Sequence, residues 1–124
     1  VDLISMIAPT SKERIRKIAS QAAGFLYIVS SMGVTGVRSE ITTDLGAIVK
    51  EIREVTDVPC AVGFGISTPD QARQMAALSD GAIVGSAIVK IIAEKGEQAG
   101  EALAEYVSKM KAGVCAASKE QKSL

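Results

Sequence analysis

The feature that most restricts this chain is a regular alternation of short apolar strands with amphipathic helical stretches. Leu3-Ile4-Ser5-Met6-Ile7-Ala8 reads as a buried strand. Thr10, with Glu13 three residues on, forms a capping-box signature. Ile15, Ile18, Ala19 and Ala22 recur at helical spacing, and Gly24 offers a C-terminal stop. Phe25-Leu26-Tyr27-Ile28-Val29 is a second strand, followed by a long polar, glycine-bearing loop over 30–43. Leu45, Ile48, Val49, Ile52 and Val55 then mark one face of a helix. Asp57-Val58-Pro59 turns into a third strand, Cys60-Ala61-Val62-Gly63-Phe64, and Thr68-Pro69-Asp70-Gln71 opens a helix with N-cap, N1 proline and capping-box glutamine in place. Ala82-Ile83-Val84 is the fourth strand and ends at Gly85-Ser86. A short helix follows over 87–93, then a last one with Ala99, Leu103, Tyr106, Val107 and Met110 on one side.

Four βα units in succession imply an α/β fold with a parallel sheet. A closed eight-unit barrel takes typically ~250 residues, and this chain has 124. The alternation therefore leaves two architectures, half of a barrel or a small open sheet. We expect one domain over 1–124, with 113–124 a frayed tail because it is small and polar. The first strand begins almost at Val1, which points to a cut inside a longer protein.

Composition narrows the chemistry. Lysine plus arginine and aspartate plus glutamate number 14 each, so no basic stripe argues for nucleic acid and no acidic run for a solvating tail. With no histidine, acid–base work falls to carboxylates, lysines, tyrosines or thiols, and a metal site is not expected. Cys60 and Cys115 form no C-x-x-C pair, which suits a reducing, cytoplasmic setting. No apolar run reaches the ~18 residues of a membrane span, and the N-terminus lacks the basic region of a signal peptide.

The residues with most chemical promise are glycines at two successive strand ends, Gly63-Phe64-Gly65 and Gly85-Ser86, the second pair opening a short helix. A phosphate needs backbone N–H donors that approach without Cβ hindrance, and a helix N-terminus adds aligned donors and a favourable dipole. Barrels commonly place such a site after their last two strands. Tight turning alone explains one such pair; two at adjacent strand ends favour phosphate. The loop around Val34-Thr35-Gly36 reads either as a lid or as a simple connection, and spacing does not separate the two. Spacing favours core packing for Tyr27, a buried small-hydrophobe role for Cys60 and a surface position for Lys90. No carboxylate falls at a strand end where a ligand would lie: Asp44 and Asp70 look like helix starts, and Asp80 precedes a strand.

Gly24-Phe25-Leu26-Tyr27, Ser31-Met32-Gly33-Val34-Thr35-Gly36, Gly63-Phe64-Gly65-Ile66-Ser67 and Gly85-Ser86-Ala87-Ile88-Val89-Lys90 together resemble the tryptophan synthase alpha subunit family in order and spacing, from Leu3 to about Lys111. The resemblance implies a TIM (β/α)8 barrel, of which this chain is a half-barrel comprising the fifth to eighth βα units. It implies a carbon–carbon lyase of tryptophan biosynthesis that splits indole-3-glycerol phosphate into indole and glyceraldehyde 3-phosphate. It needs no cofactor of its own; pyridoxal phosphate belongs to the beta subunit, the expected partner of the whole alpha subunit. It matches Gly36, Gly65, Gly85 and Ser86 to phosphate-binding positions, Thr35 to a mobile-loop threonine that touches a catalytic aspartate, and Tyr27 to an active-site tyrosine, displacing the packing role for Tyr27. The family's catalytic carboxylates match nothing in this sequence, so the chain alone is expected to be inactive. Self-association, or pairing with the N-terminal half, is expected because a half-barrel leaves strand edges open. The alternatives are a non-catalytic, self-associating phosphate-binding half-barrel, or part of another phosphate-binding barrel such as a phosphoribosyl isomerase.

Overall fold

A computed structural model describes residues 1–9, 12–29, 38–63 and 65–122, with 38–44 and 118–122 described as backbone alone. Four strands, β1 (Ser5–Ile7), β2 (Leu26–Val29), β3 (Cys60–Gly63) and β4 (Gly81–Ala82), form one parallel sheet in the order β1-β2-β3-β4. Consecutive strands being neighbours is the order of a barrel wall; a doubly wound sheet reverses its order part-way. The helices are α1 (Lys12–Ser20), α2 (Arg38–Val55), α3 (Pro69–Leu78), α4 (Ser86–Lys95) and, after a 3-10 turn at Gly96–Gln98, α5 (Ala99–Lys122).

Strand side chains alternate between faces, and burial follows that period. Ile7, Leu26, Ile28, Cys60 and Val62 are buried with Ile15 and Ala19 of α1, Leu45, Ile48, Val49 and Ile52 of α2, and Ala72 and Met75 of α3. The other face carries Met6, Tyr27 and Ala61 in one register row, with Met6 60% exposed. Both cysteines are free. Cys60 is buried as expected, and burial, with the Asp80 carboxylate beside it, pushes its thiol pKa up. Asp80 ties the N-terminal ends of β3 and β4: its Oδ2 accepts from the Cys60 N–H at 2.9 Å, and its own N–H donates to the Cys60 carbonyl at 2.8 Å.

Several boundaries differ from expectation. α1 ends at Ser20, with Gln21 and Ala22 closing a last turn onto the Ile18 and Ala19 carbonyls, so Gly24 is not its stop. Gly24 instead takes a left-handed φ of 76° in the loop before β2. Thr10 lies outside the described residues. α2 starts at Arg38 within the expected loop, because 38–44 is polar apart from Ile41 and the apolar period becomes visible only at Leu45. β4 begins one residue early and is short, although the Ile83 N–H still donates to the Val62 carbonyl at 2.8 Å. α4 runs on to Lys95, where Gly96, at φ 55°, caps it with an N–H to the Ile92 carbonyl.

The largest correction is at the C-terminus. The expected frayed tail from Gly113 continues α5 as far as Lys122, with Ala117 fully buried. The small residues that resemble a tail are what lets α5 lie close on α3. A Cβ at Gly113 would stand 2.5 Å from the Pro69 carbonyl oxygen.

Candidate functional site

At the C-terminal ends of β2, β3 and β4 lies a cleft of about 430 Å³. Its lining includes Tyr27, Gly65, Gly85 and Ser86, four of the six residues singled out from the sequence. Thr35 and Gly36 fall outside the described residues. Ile66, Ser67, Ile83, Ala87 and Lys90 complete the lining. Active sites of this barrel class sit at this end of the strands.

Each wall has a local cause. Gly65 has φ 77°, a left-handed conformation that glycine adopts without a Cβ penalty. The chain then locks. The Ser67 N–H donates to the Gln71 side-chain oxygen at 2.9 Å, the Ser67 hydroxyl to the same atom at 3.3 Å and the Thr68 N–H at 3.2 Å. In return the Gln71 N–H donates to the Thr68 hydroxyl at 3.2 Å, completing the capping box read from the sequence.

Gly85 has a different reason to be glycine. Its φ of −120° demands no special residue, and a Cβ built there meets no described atom within 4 Å. The space it leaves opens into the cleft. Gly85 is the N-cap of α4 and makes no side-chain cap. Its carbonyl accepts from the Ile88 and Val89 N–H groups at 2.9 and 3.1 Å. The N–H groups of Ser86 and Ala87, in the first turn, have no intrahelical acceptor, and the helix dipole makes this end favourable for an anion.

Tyr27 lies on the sheet face opposite the main core, half-buried, with its ring across β3. A Cβ at Gly63 would collide with the phenol, passing 2.7 Å from Tyr27 Cε1. Gly63 is therefore glycine to admit the tyrosine. The cleft's one charged lining residue among those described is Lys90. Spacing favours the surface for it, but it follows Ser86 by four residues on α4, and helical arithmetic alone puts i and i+4 on one face. Among the described residues no carboxylate lines the cleft. Asp70 accepts from Arg73 at 3.0 Å and from Gln74 at 3.1 Å, and Asp80 serves the far end of the strands. Among the described residues no group of three histidine, cysteine, aspartate or glutamate side chains could hold a metal. No helix among them is long and apolar enough to cross a membrane.

A cleft with backbone donors, glycine clearance, one cation and an aromatic hydroxyl suits a phosphate ester with an organic tail. Its described lining has no acid–base pair to act on one. Comparison with known proteins shows which family the chain is similar to. The family model described as tryptophan synthase alpha chain matches residues 1–117. The tryptophan synthase alpha chain of Lacticaseibacillus casei is 49% identical over 114 residues, covering 92% of this chain and 43% of that protein. That of Lactiplantibacillus plantarum is 52% identical over 112 residues, covering 90% and 42%. Among solved structures, tryptophan synthase subunit alpha from Campylobacter jejuni superimposes with a TM-score of 0.71 at 40% identity, over 75% of this chain and 38% of that one. A tryptophan synthase structure from Mycobacterium tuberculosis does so with a TM-score of 0.74 at 36% identity, over 92% and 42%. The chain thus spans less than half the length of the relatives it matches.

Proposed function

The chain belongs to the tryptophan synthase alpha chain family, and from that premise we propose that it provides the phosphate grip of a lyase that cleaves indole-3-glycerol phosphate to indole and glyceraldehyde 3-phosphate. The observation that carries this reading is Gly85: it lines the cleft, needs no glycine for its own backbone, and leaves room that no described residue fills. The alternative of another phosphate-binding barrel, such as a phosphoribosyl isomerase, has no support in the family match.

In this reading the N–H groups of Gly65 and of the first turn of α4, with the Ser86 side chain, hold the phosphate oxygens. A charge-assisted hydrogen bond to an anion is stronger than a neutral one, so a few well-aimed donors suffice. Lys90 adds long-range attraction at the open side of the cleft. Tyr27 stands beside the glycerol carbons; the roles of Gly36 as a phosphate position and Thr35 as a loop threonine rest on the family resemblance, both residues lying outside those described. No cofactor is required; pyridoxal phosphate serves the beta subunit, which partners the whole alpha subunit. The setting is cytoplasmic.

Cleavage needs groups within hydrogen-bond reach of the protons they move. The family's catalytic carboxylates lie in the half of the barrel that this sequence does not match, so the chain alone does not release indole. The test is complementation. The chain is mixed with the N-terminal half of a related alpha subunit, co-elution establishes assembly, and indole is followed. Indole from the assembled pair and from neither half is the expected result. Indole from this chain alone would refute the division of labour, and an assembled pair that makes none would refute the lyase assignment.

A further inference from the structure

Tyr106 stands on α5, nearly forty residues beyond the loop that follows β3, yet its hydroxyl donates a 2.6 Å hydrogen bond to the carbonyl of Ser67. Ser67 lines the cleft and follows the left-handed Gly65 by two residues. Its N–H and its hydroxyl are already bound to Gln71 of α3. With Tyr106 on the carbonyl, every polar group of Ser67 is held, from two different helices. The tyrosine ring is half-buried and packs against the core, which fixes the direction of its hydroxyl. Seven residues on along the same stripe of α5, Gly113 lies against the Pro69 carbonyl, so α5 braces the segment 67–69 at two points. Burial raises the Tyr106 phenol pKa, so it remains a donor across the neutral range.

We propose that Tyr106 is a positioning residue for the phosphate cleft, holding the Ser67 carbonyl so that the Gly65–Ile66 backbone just before it keeps its donors aimed at the ligand. This rests on the phosphate reading of the cleft and adds to it a residue that never touches the ligand. Preorganised donors bind an anion better than donors that must be ordered at the moment of binding. Tyr106→Phe keeps the packed ring and removes only the hydroxyl and its hydrogen bond.

The experiment follows backbone amides by NMR while inorganic phosphate is titrated into the chain and into Tyr106→Phe, with thermal unfolding of both as a second measurement. The expected result has three parts. Phosphate shifts the Gly65, Gly85 and Ser86 amides of the unmodified chain. In Tyr106→Phe its affinity falls about two- to tenfold, the span of one hydrogen bond, while the amides at 65–67 exchange faster. Thermal stability falls by no more than the lost hydrogen bond accounts for, a few degrees. Equal phosphate affinity in the two proteins would overturn the inference alone, whether or not the variant melts earlier. An unmodified chain whose Gly65, Gly85 and Ser86 amides ignore phosphate would overturn the phosphate reading and this inference together.

Discussion

At the scale of single residues, the glycines of this chain divide by what they make room for. Gly65 answers to its own backbone, at φ 77°. Gly63 admits the Tyr27 ring. Gly85 answers to neither. The difference predicts opposite outcomes for the same substitution. Gly85→Ala should cost no more than about 1 kcal/mol of stability, since the methyl meets no described atom and only glycine's advantage at an N-cap is lost. It should weaken phosphate binding by at least about tenfold, or 1.4 kcal/mol, because the new methyl occupies the ligand's approach. Denaturant unfolding and phosphate titration of one protein sample decide it. A variant that binds phosphate normally would mean that the space beside Gly85 does not serve the ligand. The two glycine pairs are legible in the sequence, because small residues at strand ends are visible in one dimension. Their ranking is not, since it depends on Tyr27 crossing β3 and on the emptiness beside Gly85. Lys90 escapes sequence reading for a related reason: a lysine on a surface helix looks alike wherever it points.

At the scale of elements, the sequence is legible where local chemistry decides and opaque where a distant partner does. Thr68-Pro69-Asp70-Gln71 specifies its helix start through bonds made within four residues, and the expected capping box forms. The end of α5 is the opposite case. Gly113, Ala116 and Ala117 carry no local helix signal beyond alanine itself, and Gly113 lies against α3, more than thirty residues earlier in the chain. The same contact gives a prediction in which two effects compete. Replacing a mid-helix glycine by alanine ordinarily gains about 1 kcal/mol from helix propensity. At Gly113 the added Cβ would meet a backbone carbonyl at 2.5 Å, and backbone cannot swing aside as a side-chain tip can. Overpacking costs typically about 1–3 kcal/mol, and a clash with backbone that cannot swing aside falls in the upper half of that span, about 2–3 kcal/mol, so it outweighs the propensity. Gly113→Ala should lower unfolding stability by about 1–2 kcal/mol net, with α3 and α5 losing amide protection first. An alanine variant as stable as the parent would mean that α5 does not lie on α3 as closely as described.

At the scale of the whole molecule, the sheet is covered on one side by the core and left open in two other respects. Among the described residues β1 pairs only with β2 and β4 only with β3, so each presents one unpaired row of backbone groups. The face carrying Met6, Tyr27 and Ala61 has no layer of described helices over it, and Met6 is 60% exposed. In a closed barrel that face is packed by side chains from all the strands. Unpaired edges beside an apolar face are the condition under which strands recruit another chain, and in a solution of this chain alone the partner at hand is a second copy. Association that grows with concentration is therefore expected, seen by light scattering as a mass of at least twice the chain's. A charge on the open face separates this cause from non-specific stickiness. Met6→Lys adds a cation where the side chain is mostly in water, so it should spare the core while opposing burial of the face. The variant should be monomeric at concentrations where the parent is not, with an unchanged circular dichroism spectrum. A parent that stays monomeric at every concentration would show that the sheet is closed off by itself. A Met6→Lys protein that associates as strongly as the parent would place the contact elsewhere than on this face. If the face does govern association, the N-terminal half of a related barrel should compete with self-association, because its strands present the same kind of edge and cover the same apolar row.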